Sequence, residues 1–475
     1  MYASPILISV SSIEMPSKII TLDRKQYGDA HQSQKVESVA RRLRYRAMGK
    51  ECRARGITNL LFAHHADDQA ETVLMRLANN YLGKGLAGMQ REAPIPECED
   101  LYGVNNSGRP RAVRPDNALP KKPASNVDML VEDGGITVIR PLLSYTKDRL
   151  VATCEEASVK WVEDHTNKDR SLTLRNTVRH LHETDLLPVA LRRPNLCAIA
   201  TQTSDRFAQL EARVDEIFRH FDITFDPRSG HAVCRIAREN ASKINALPDC
   251  DRVRAELLRK LLLIVAPQHS IDLSTLEAAS SNFLEVDEDK VQPDVTPITV
   301  AGATAVRLED ADGAIAYELR RTLPPRNRAS HLEVKINLSV QESGPDVNQV
   351  SWSEWSLWDE RYWIRIGSTA EDQAQALSVV VRILTPEDIN TLRQELPSKA
   401  DTLHGQLAHI KGHLRTTLPA LVHMLPDGQS RIVALPTLGW SRDMWFSFDG
   451  KQHRPSAQYY DIRYKHIDTS LTMPI

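Results

Sequence analysis

The chain has 475 residues, 41% apolar and 26% charged, an ordinary balance for folded globular domains and enough chain for roughly two to four of them. Its formal net charge of −2 excludes a global pull on nucleic acid, so any RNA contact must come from local basic patches. Its six cysteines (Cys52, Cys98, Cys154, Cys197, Cys234, Cys250) form no Cys-x-x-Cys pair. That spacing argues against a zinc ribbon, an iron–sulfur site or a disulfide framework, and fits a reducing compartment.

The opening Met1-Tyr2-Ala3-Ser4-Pro5-Ile6-Leu7-Ile8-Ser9-Val10 lacks the basic start of a signal peptide and the arginines of a mitochondrial presequence. Ile19-Ile20-Thr21-Leu22 reads as a strand. Residues 34–55 read as a helix, with Val36, Val39, Ala40, Leu43 and Ala47 at helical spacing and Gly56 as its stop. Residues 57–63 read as a short buried strand. Residues 66–81 read as a second helix, striped by Ala70, Val73, Leu74, Leu77 and Tyr81. Such alternation predicts a parallel sheet flanked by helices.

Residues 91–135, broken by prolines, Asn105-Asn106-Ser107-Gly108 and Lys121-Lys122-Pro123, read as a long mobile insertion. A strand resumes at residues 136–143, a helix follows at 147–157, and a polar loop occupies 163–170. Residues 194–286 look helical, with one stripe of Phe207, Leu210, Val214, Ile217 and Phe218 and another of Leu257, Leu258, Leu261, Leu262 and Val265. Arg259 and Lys260 interrupt that second stripe, the nearest approach to a membrane span. From about residue 295 the pattern alternates, as in Leu332-Glu333-Val334-Lys335-Ile336. Six of the seven tryptophans (Trp352, Trp355, Trp358, Trp363, Trp440, Trp445) lie beyond Ser351, which marks a β-rich C-terminal domain. The expected division is a first domain at 1–190, a helical region at 191–325 and the β-rich domain at 326–475.

The densest chemistry is His64-His65-Ala66-Asp67-Asp68-Gln69-Ala70-Glu71-Thr72, where a strand passes into a helix. A spacing of four puts Asp67 and Glu71 on one helix face, with Asp68 beside them. Acidic residues in a first turn also serve a helix start, where the dipole favours them. The functional reading is a carboxylate cluster, with His65, that holds magnesium or orients an amine beside a nucleotide, at the strand end where open α/β sheets bind ligands. Upstream, Ala40-Arg41-Arg42-Leu43-Arg44-Tyr45 opens a basic helix that continues through Arg46, Lys50, Arg53 and Arg55. Arginine's planar fork suits phosphate and base edges, whereas Tyr45 suits packing. Downstream, Arg140-Pro141-Leu142-Leu143 precedes Glu163-Asp164-His165-Thr166-Asn167 and Leu174-Arg175-Asn176-Thr177-Val178-Arg179. Arg175 and Arg179, four apart, can clamp phosphate, and Asn176 can orient the loop. Gly83-Lys84-Gly85-Leu86-Ala87-Gly88 fits G-x-G-x-x-G, but it follows a helix and not a strand, so it reads as a helix-ending turn.

These elements together resemble the tRNA(Ile)-lysidine synthases of the PP-loop, or N-type ATP pyrophosphatase, superfamily. The matched elements are Ala-Arg-x-x-Arg-Tyr, His-x-Asp-Asp-Gln-x-Glu-Thr, a Gly-x-Gly-Leu-x-Gly-Met segment running through Met89, the Arg-Pro-Leu-Leu strand and Arg-Asn-x-x-Arg. The resemblance covers residues 16–188 and extends more weakly through Asn245-Ala246-Leu247-Pro248 to about residue 321. In the last third only Arg415-Thr416-Thr417-Leu418-Pro419 is similar. It implies an adenine nucleotide alpha hydrolase-like α/β domain, followed by the helical and β-rich regions. It implies a reaction in which ATP adenylates C2–O of the wobble cytidine of a CAU-anticodon tRNA(Ile) and lysine then displaces AMP. It further implies ATP and Mg²⁺ as cofactors, with Asp67 and Glu71 on the metal, and His65, Asp67, Asp68 and Glu71 at the reaction centre. Arg41, Arg44, Arg175, Asn176 and Arg179 would contact nucleotide or base. The implied partners are that tRNA and free L-lysine; a homodimer is compatible, and no membrane is involved. The implied compartment is mitochondrial in a eukaryote and cytoplasmic otherwise.

One family element does not occur. The Ser-Gly-Gly-x-Asp-Ser loop, whose amides hold the pyrophosphate of ATP, is nowhere in the 475 residues, and neither is a Walker A motif. The match opens near the family's third strand, as expected of a truncated chain or of one that has lost ATP chemistry. Two alternatives accompany the synthase reading: an ATP-inactive tRNA-binding remnant, and another PP-loop tRNA-modifying enzyme. Of the latter, the cytidine thiolases carry the Cys-x-x-Cys pairs that are missing here.

Overall fold

The structure, a computed structural model, describes residues 16–22, 36–112, 129–161, 174–184, 186–286, 296–308, 313–323, 332–337, 351–368, 378–395, 397–424, 430–442, 445–446, 452–453 and 460–468. It divides into two compact units, Met1–Asn105 with Gly135–Ala212, and Asn106–Gly134 with Arg213–Ile475. No described helix is long and apolar enough to cross a membrane.

The first unit is α/β. Helix α1 (Val36–Ala54) leads into strand β1 (Asn59–Leu61), then α2 (Ala66–Ala78), β2 (Glu92–Pro94), β3 (Thr137–Ile139), α3 (Lys147–Glu156), α4 (Leu174–Glu183) and the start of α5 (Arg193–Phe218). β3 is central: it runs parallel to β1, pairing Leu60 with Val138, and antiparallel to β2, pairing Ala93 with Val138. The sheet is therefore mixed, where a parallel one was expected. The strand expected at Ile19-Ile20-Thr21-Leu22 is absent. That segment is irregular, with Ile19 and Ile20 exposed and no sheet neighbour among the described residues to satisfy its backbone.

The face that α1 buries is Tyr45 and Cys52, with Met48 partly covered, one step round from the expected stripe, of which Val39, Ala40, Leu43 and Ala47 are half-buried. These residues share a core with Ile95, Cys98, Val104, Ile136 and Val138. Ile95, Cys98 and Val104 lie in the stretch expected to be a mobile insertion, and they are completely buried. A fully buried aliphatic side chain contributes roughly 1.5–3 kcal/mol, which is reason enough for residues 92–105 to be ordered. Residues 113–128 lie outside the described part. Behind the sheet, Ala70 and Val73 of α2 pack on Leu196 and Ala200 of α5. Tyr81, placed in the α2 stripe by spacing, falls beyond the helix end and is 64% exposed.

The second unit is β-rich from its start. Residues 222–237, expected to be helical, form a hairpin, β4 (Asp222–Asp226) and β5 (His231–Ala237). Small apolar residues at Ala232, Cys234 and Ile236 bury alternate positions there, a weak signal beside the leucine stripes around it. With β6 (Ile298–Val300), β7 (Ala303–Leu308) and β8 (Ala314–Arg321) the hairpin makes an antiparallel sheet in the order β6-β7-β8-β5-β4. Helices α6 (Arg238–Asn245), α7 (Cys250–Val265) and α8 (Leu273–Ala279) lie between. The α7 stripe is as expected, with Leu257, Leu258, Leu261, Leu262 and Val265 fully or nearly fully buried except for a half-buried neighbour, Leu263.

Two further sheets follow. One is β9 (Val334–Asn337), β13 (Ser378–Ile383), β14 (Pro419–Met424), β15 (Ser430–Leu435) and β16 (Trp440–Ser441) in that order, over a core with helices at Pro386–Glu395 and Pro397–Ala408. The other contains β10 (Ser351–Trp352), β11 (Ser356–Trp358), β12 (Tyr362–Ser368) and β17 (Tyr460–Tyr464). Its edge is completed by two short strands from the insertion, Leu130–Val131 and Arg111–Ala112. Glu132, fully buried, accepts a hydrogen bond from Arg463 of β17 at 3.0 Å.

Candidate active site

The site lies in the first unit, where β1 ends and α2 begins. His65 caps α2, and the Asp68 carboxylate accepts the His65 backbone N–H at 3.0 Å, so Asp68 serves as a helix cap as well as a site residue. One turn on, Glu71 is 2% exposed. Its two oxygens are claimed by α4: Arg175 Nε donates to Oε2 at 2.8 Å, and Arg179 donates through Nε to Oε1 at 2.8 Å and through Nη2 to Oε2 at 3.1 Å. The spacing of four in Arg175 and Arg179 presents both guanidiniums to one carboxylate, and Asn176 between them is buried. Arg175 also approaches Asp68 at 3.5 Å, as does the His65 ring. The side chains of Arg175 and Arg179 remain 29% and 23% exposed.

His64 was not singled out by spacing, yet it stands at the centre of the charges. Its ring stacks on Phe62, with centres 5.3 Å apart. Burial lowers its pKa; Asp68 opposes this, while Arg140, Arg175 and Arg41 reinforce it. The result is a neutral imidazole among three cations. Nδ1 of His64 is buried with no hydrogen-bond partner among the described residues, whereas the His65 side chain belongs to the capping box of α2. Such an orphaned atom at a strand's carboxyl end marks a place that a ligand can complete. The sequence signal for His64 was the doubled histidine following directly on a strand. Arg140, at the end of β3 and 6% exposed, was also missed as a site residue; its guanidinium donates to the Gln90 carbonyl at 2.7 Å.

Arg41 and Arg44 are both exposed on α1. Arg41 lies 4.8 Å over the Tyr45 ring and 3.5 Å from Glu97, and its charge reaches His64. Tyr45 itself is core, 5.6 Å from Phe62. The glycine turn is tied to α2: Gln69 receives the Met89 N–H at 2.7 Å and donates to the Met89 carbonyl, while Arg76 binds the Gly85 and Gly88 carbonyls. Gly88 has φ +65°, and a Cβ there would lie 2.6 Å from Gln69 Oε1. The close approach at this glycine is to Gln69. Residues 163–170, expected to add a loop to the site, lie outside the described residues.

A magnesium site on Asp67 and Glu71 does not fit this arrangement. Glu71 has both oxygens engaged by guanidiniums, and among the described residues no group of three or more His, Cys, Asp or Glu converges to hold a metal. Asp67 instead bears on His182, as Glu71 does. His182 borders a cavity of about 180 Å³ lined by Leu181, His182, Leu187, Arg192, Arg193 and Pro194. Burial, aided by Arg193, lowers the His182 pKa against the pull of the two acids. His182 Nε2 and Arg193 Nε are buried without partners among the described residues. The cavity lining thus combines two arginines and a histidine with apolar side chains, and Asp67 and Glu71 act electrostatically on its His182.

An α/β unit with a charged cluster at a strand's carboxyl end defines a nucleotide-handling class, and comparison with known proteins gives the same class. The PP-loop domain family matches residues 9–110 and 119–184. A probable tRNA(Ile)-lysidine synthase of Schizosaccharomyces pombe is 26% identical over 418 residues, covering 87% of this chain and 76% of that protein. The tRNA(Ile)-lysidine synthase of Vibrio campbellii is 26% identical over 46% of this chain and 42% of its own length. That of Lactiplantibacillus plantarum is 31% identical over 34% of this chain and 27% of its own. The chain thus carries a match to the PP-loop domain family over part of its length and is similar to proteins named tRNA(Ile)-lysidine synthase.

Proposed function

We propose that the chain takes part in joining lysine to C2 of the wobble cytidine of a CAU-anticodon tRNA(Ile). In this reading the cytidine O2 attacks the α-phosphorus of ATP and expels pyrophosphate. The lysine ε-amine then attacks C2, and AMP leaves with the former O2. The observation that carries the reading is the pair Arg175 and Arg179 held on Glu71 beside His64, whose ring Nδ1 is buried without a partner among the described residues. Glu71 acts as a positioning residue, fixing two planar forks toward a phosphate or phosphoryl group. Neutral His64, among Arg41, Arg140 and Arg175, is suited to hydrogen-bond the base or to take a proton. The cavity at Arg193 and His182, with Asp67 close by, suits a free amino acid: carboxylate to guanidinium, aliphatic stem to Leu181 and Leu187, amine toward the acids.

The pyrophosphate end of ATP needs the Ser-Gly-Gly-x-Asp-Ser loop, which these 475 residues do not contain. A second reading is ATP-independent tRNA binding, with the salt dependence of phosphate contacts. Labelled lysine and ATP, offered with CAU-anticodon and GAU-anticodon transcripts, separate the two. The 475 residues alone are expected to release little or no pyrophosphate. Together with any coding sequence the transcript carries upstream of Met1, they are expected to label the CAU transcript only. Robust pyrophosphate release by the 475 residues overturns the first expectation. No labelling by the longest natural chain overturns the ligase reading and leaves tRNA binding.

A further inference from the structure

The second unit holds a stack that this reaction does not use. Arg365 on β12 places its guanidinium 4.5 Å from the ring centre of Trp352 and 4.6 Å from that of Trp355. Arg463 on β17 lies 4.5 Å from the Trp355 ring. The order is Trp352, Arg365, Trp355, Arg463, an alternation of indole and guanidinium. Strand register produces it. Arg365 faces Asp461 and Trp363 faces Arg463, so the two arginines stand one pair apart on the same sheet face. Asp461 accepts from both, at 3.1 and 3.2 Å. Trp352 is held by its pairing with Gly367, and Ser353 beside it exchanges hydrogen bonds with Ile366 through its N–H at 2.8 Å and its Oγ at 3.0 Å.

Trp352 ends this stack and is 37% exposed, whereas Trp358 on β11 and Trp363 on β12 are 1% and 3% exposed. An exposed aromatic that docks protein sits in a wider apolar patch. Trp352 instead is followed in the chain by Ser353 and Glu354 and lies against Arg365. A planar ligand with polar edges matches that setting better than an apolar protein face. The cation beneath the indole withdraws π density, so its outer face favours an electron-rich ring, and Arg365, 29% exposed, supplies positive charge at the edge.

We propose that Trp352 is a stacking platform for an unpaired base of RNA, with the Arg365 charge beneath it favouring a polyanionic strand. The choice of RNA rests on the tRNA reading above; the platform itself rests on the stack. The test uses the full chain and two probes at fixed salt, a short unstructured RNA oligonucleotide and the CAU-anticodon tRNA transcript. Binding is followed by anisotropy and by quenching of tryptophan fluorescence. Trp352→Ala is expected to weaken oligonucleotide binding at least about fivefold, the lower end for loss of one base stack. Trp352→Phe should keep most of the affinity and Trp352→Leu should not, with the melting temperature of all three near wild type. Equal affinity of Trp352→Ala and wild type overturns the proposal. Loss of affinity in step with loss of folding, unrescued by Phe, also overturns it and makes the stack a structural staple. Unchanged RNA binding with altered sedimentation assigns Trp352 to a protein contact instead. A platform confirmed on the oligonucleotide with no binding of the tRNA would sink the lysidine reading alone.

Discussion

Both units place two arginines on one carboxylate, and the two arrangements differ in what surrounds them. In the first, Glu71 holds Arg175 and Arg179, whose side chains remain 29% and 23% exposed. In the second, Asp359 holds Arg321 and Arg361, whose side chains are 7% and 0% exposed. Burial alone would raise the Asp359 pKa, but Arg361 and Arg321 outweigh it and keep the carboxyl below its ordinary value. The second cluster is also tied to backbone: Arg361 donates to the Thr417 carbonyl at 2.8 Å and Arg321 to that of Gly302 at 2.9 Å, while Arg361 Nη1 is buried without a partner among the described residues. The same charge count is buried in one unit and partly exposed in the other, and that exposure is what separates a core cluster from the candidate site.

The contrast breaks most visibly at Asp359. Asp359→Ala leaves two buried guanidiniums uncompensated and should cost about 3–5 kcal/mol, read as a lower denaturant midpoint for the second unit. Little change would mean that water already reaches the cluster. Next is Gly230, at φ +62°, where a Cβ would lie 2.6 Å from Arg361 Nη1. Gly230→Ala should cost about 1–3 kcal/mol from the left-handed backbone, with the contact adding to it. Glu71→Gln inverts the pattern. Its effect on stability should be near 1 kcal/mol, because Arg175 and Arg179 can turn to water, while affinity for AMP, measured by calorimetry, should fall about tenfold. Unchanged AMP binding would remove Glu71 as a positioning residue.

The smallest effect is in acid. Glu318 is held down to about 2 by its hydrogen bond to His231, with burial opposing and Lys411 adding to the pull. Its folded pKa lies below the ordinary 4.5, so its stabilisation is complete above that value and drains away as pH falls toward 2. Lys411→Met should shrink that acid-limb loss in a pH series of melting curves, and an unaltered limb would show that Lys411 is screened by solvent.

Much of the first unit was legible because its signals are local. Helix α2 starts at the expected Ala66, and the strands at residues 59–61 and 137–139 lie inside the predicted runs, although the first, expected to be buried, is exposed at Asn59 and Leu61. The mixed sheet was not legible, since Glu92–Pro94 is three residues long and includes a proline that no strand rule favours. In the site, the acids and arginines were readable as residue types. Their pairing was not, because Glu71 and Arg179 are 108 positions apart and close only through the fold. The expected magnesium pair failed for the same reason: helical spacing shows which side chains share a face, not what the opposing helix brings to it. His64 was passed over because a neutral histidine is defined by its burial, which spacing does not reveal.

Leu130–Val131 and Glu132, encoded amid the first unit, find their partners at Tyr464 and Arg463, 331 positions later in the case of Glu132 and Arg463. At the usual pace of synthesis, about 5–20 residues per second, that strand waits roughly 20–70 s on the ribosome for its neighbour. The second unit is therefore not a portable cassette. A gene fragment beginning at residue 213 would encode a sheet with its last edge bare and Arg463 without its buried acid, so fusions, swaps and nested deletions should carry the insertion along with the C-terminal part.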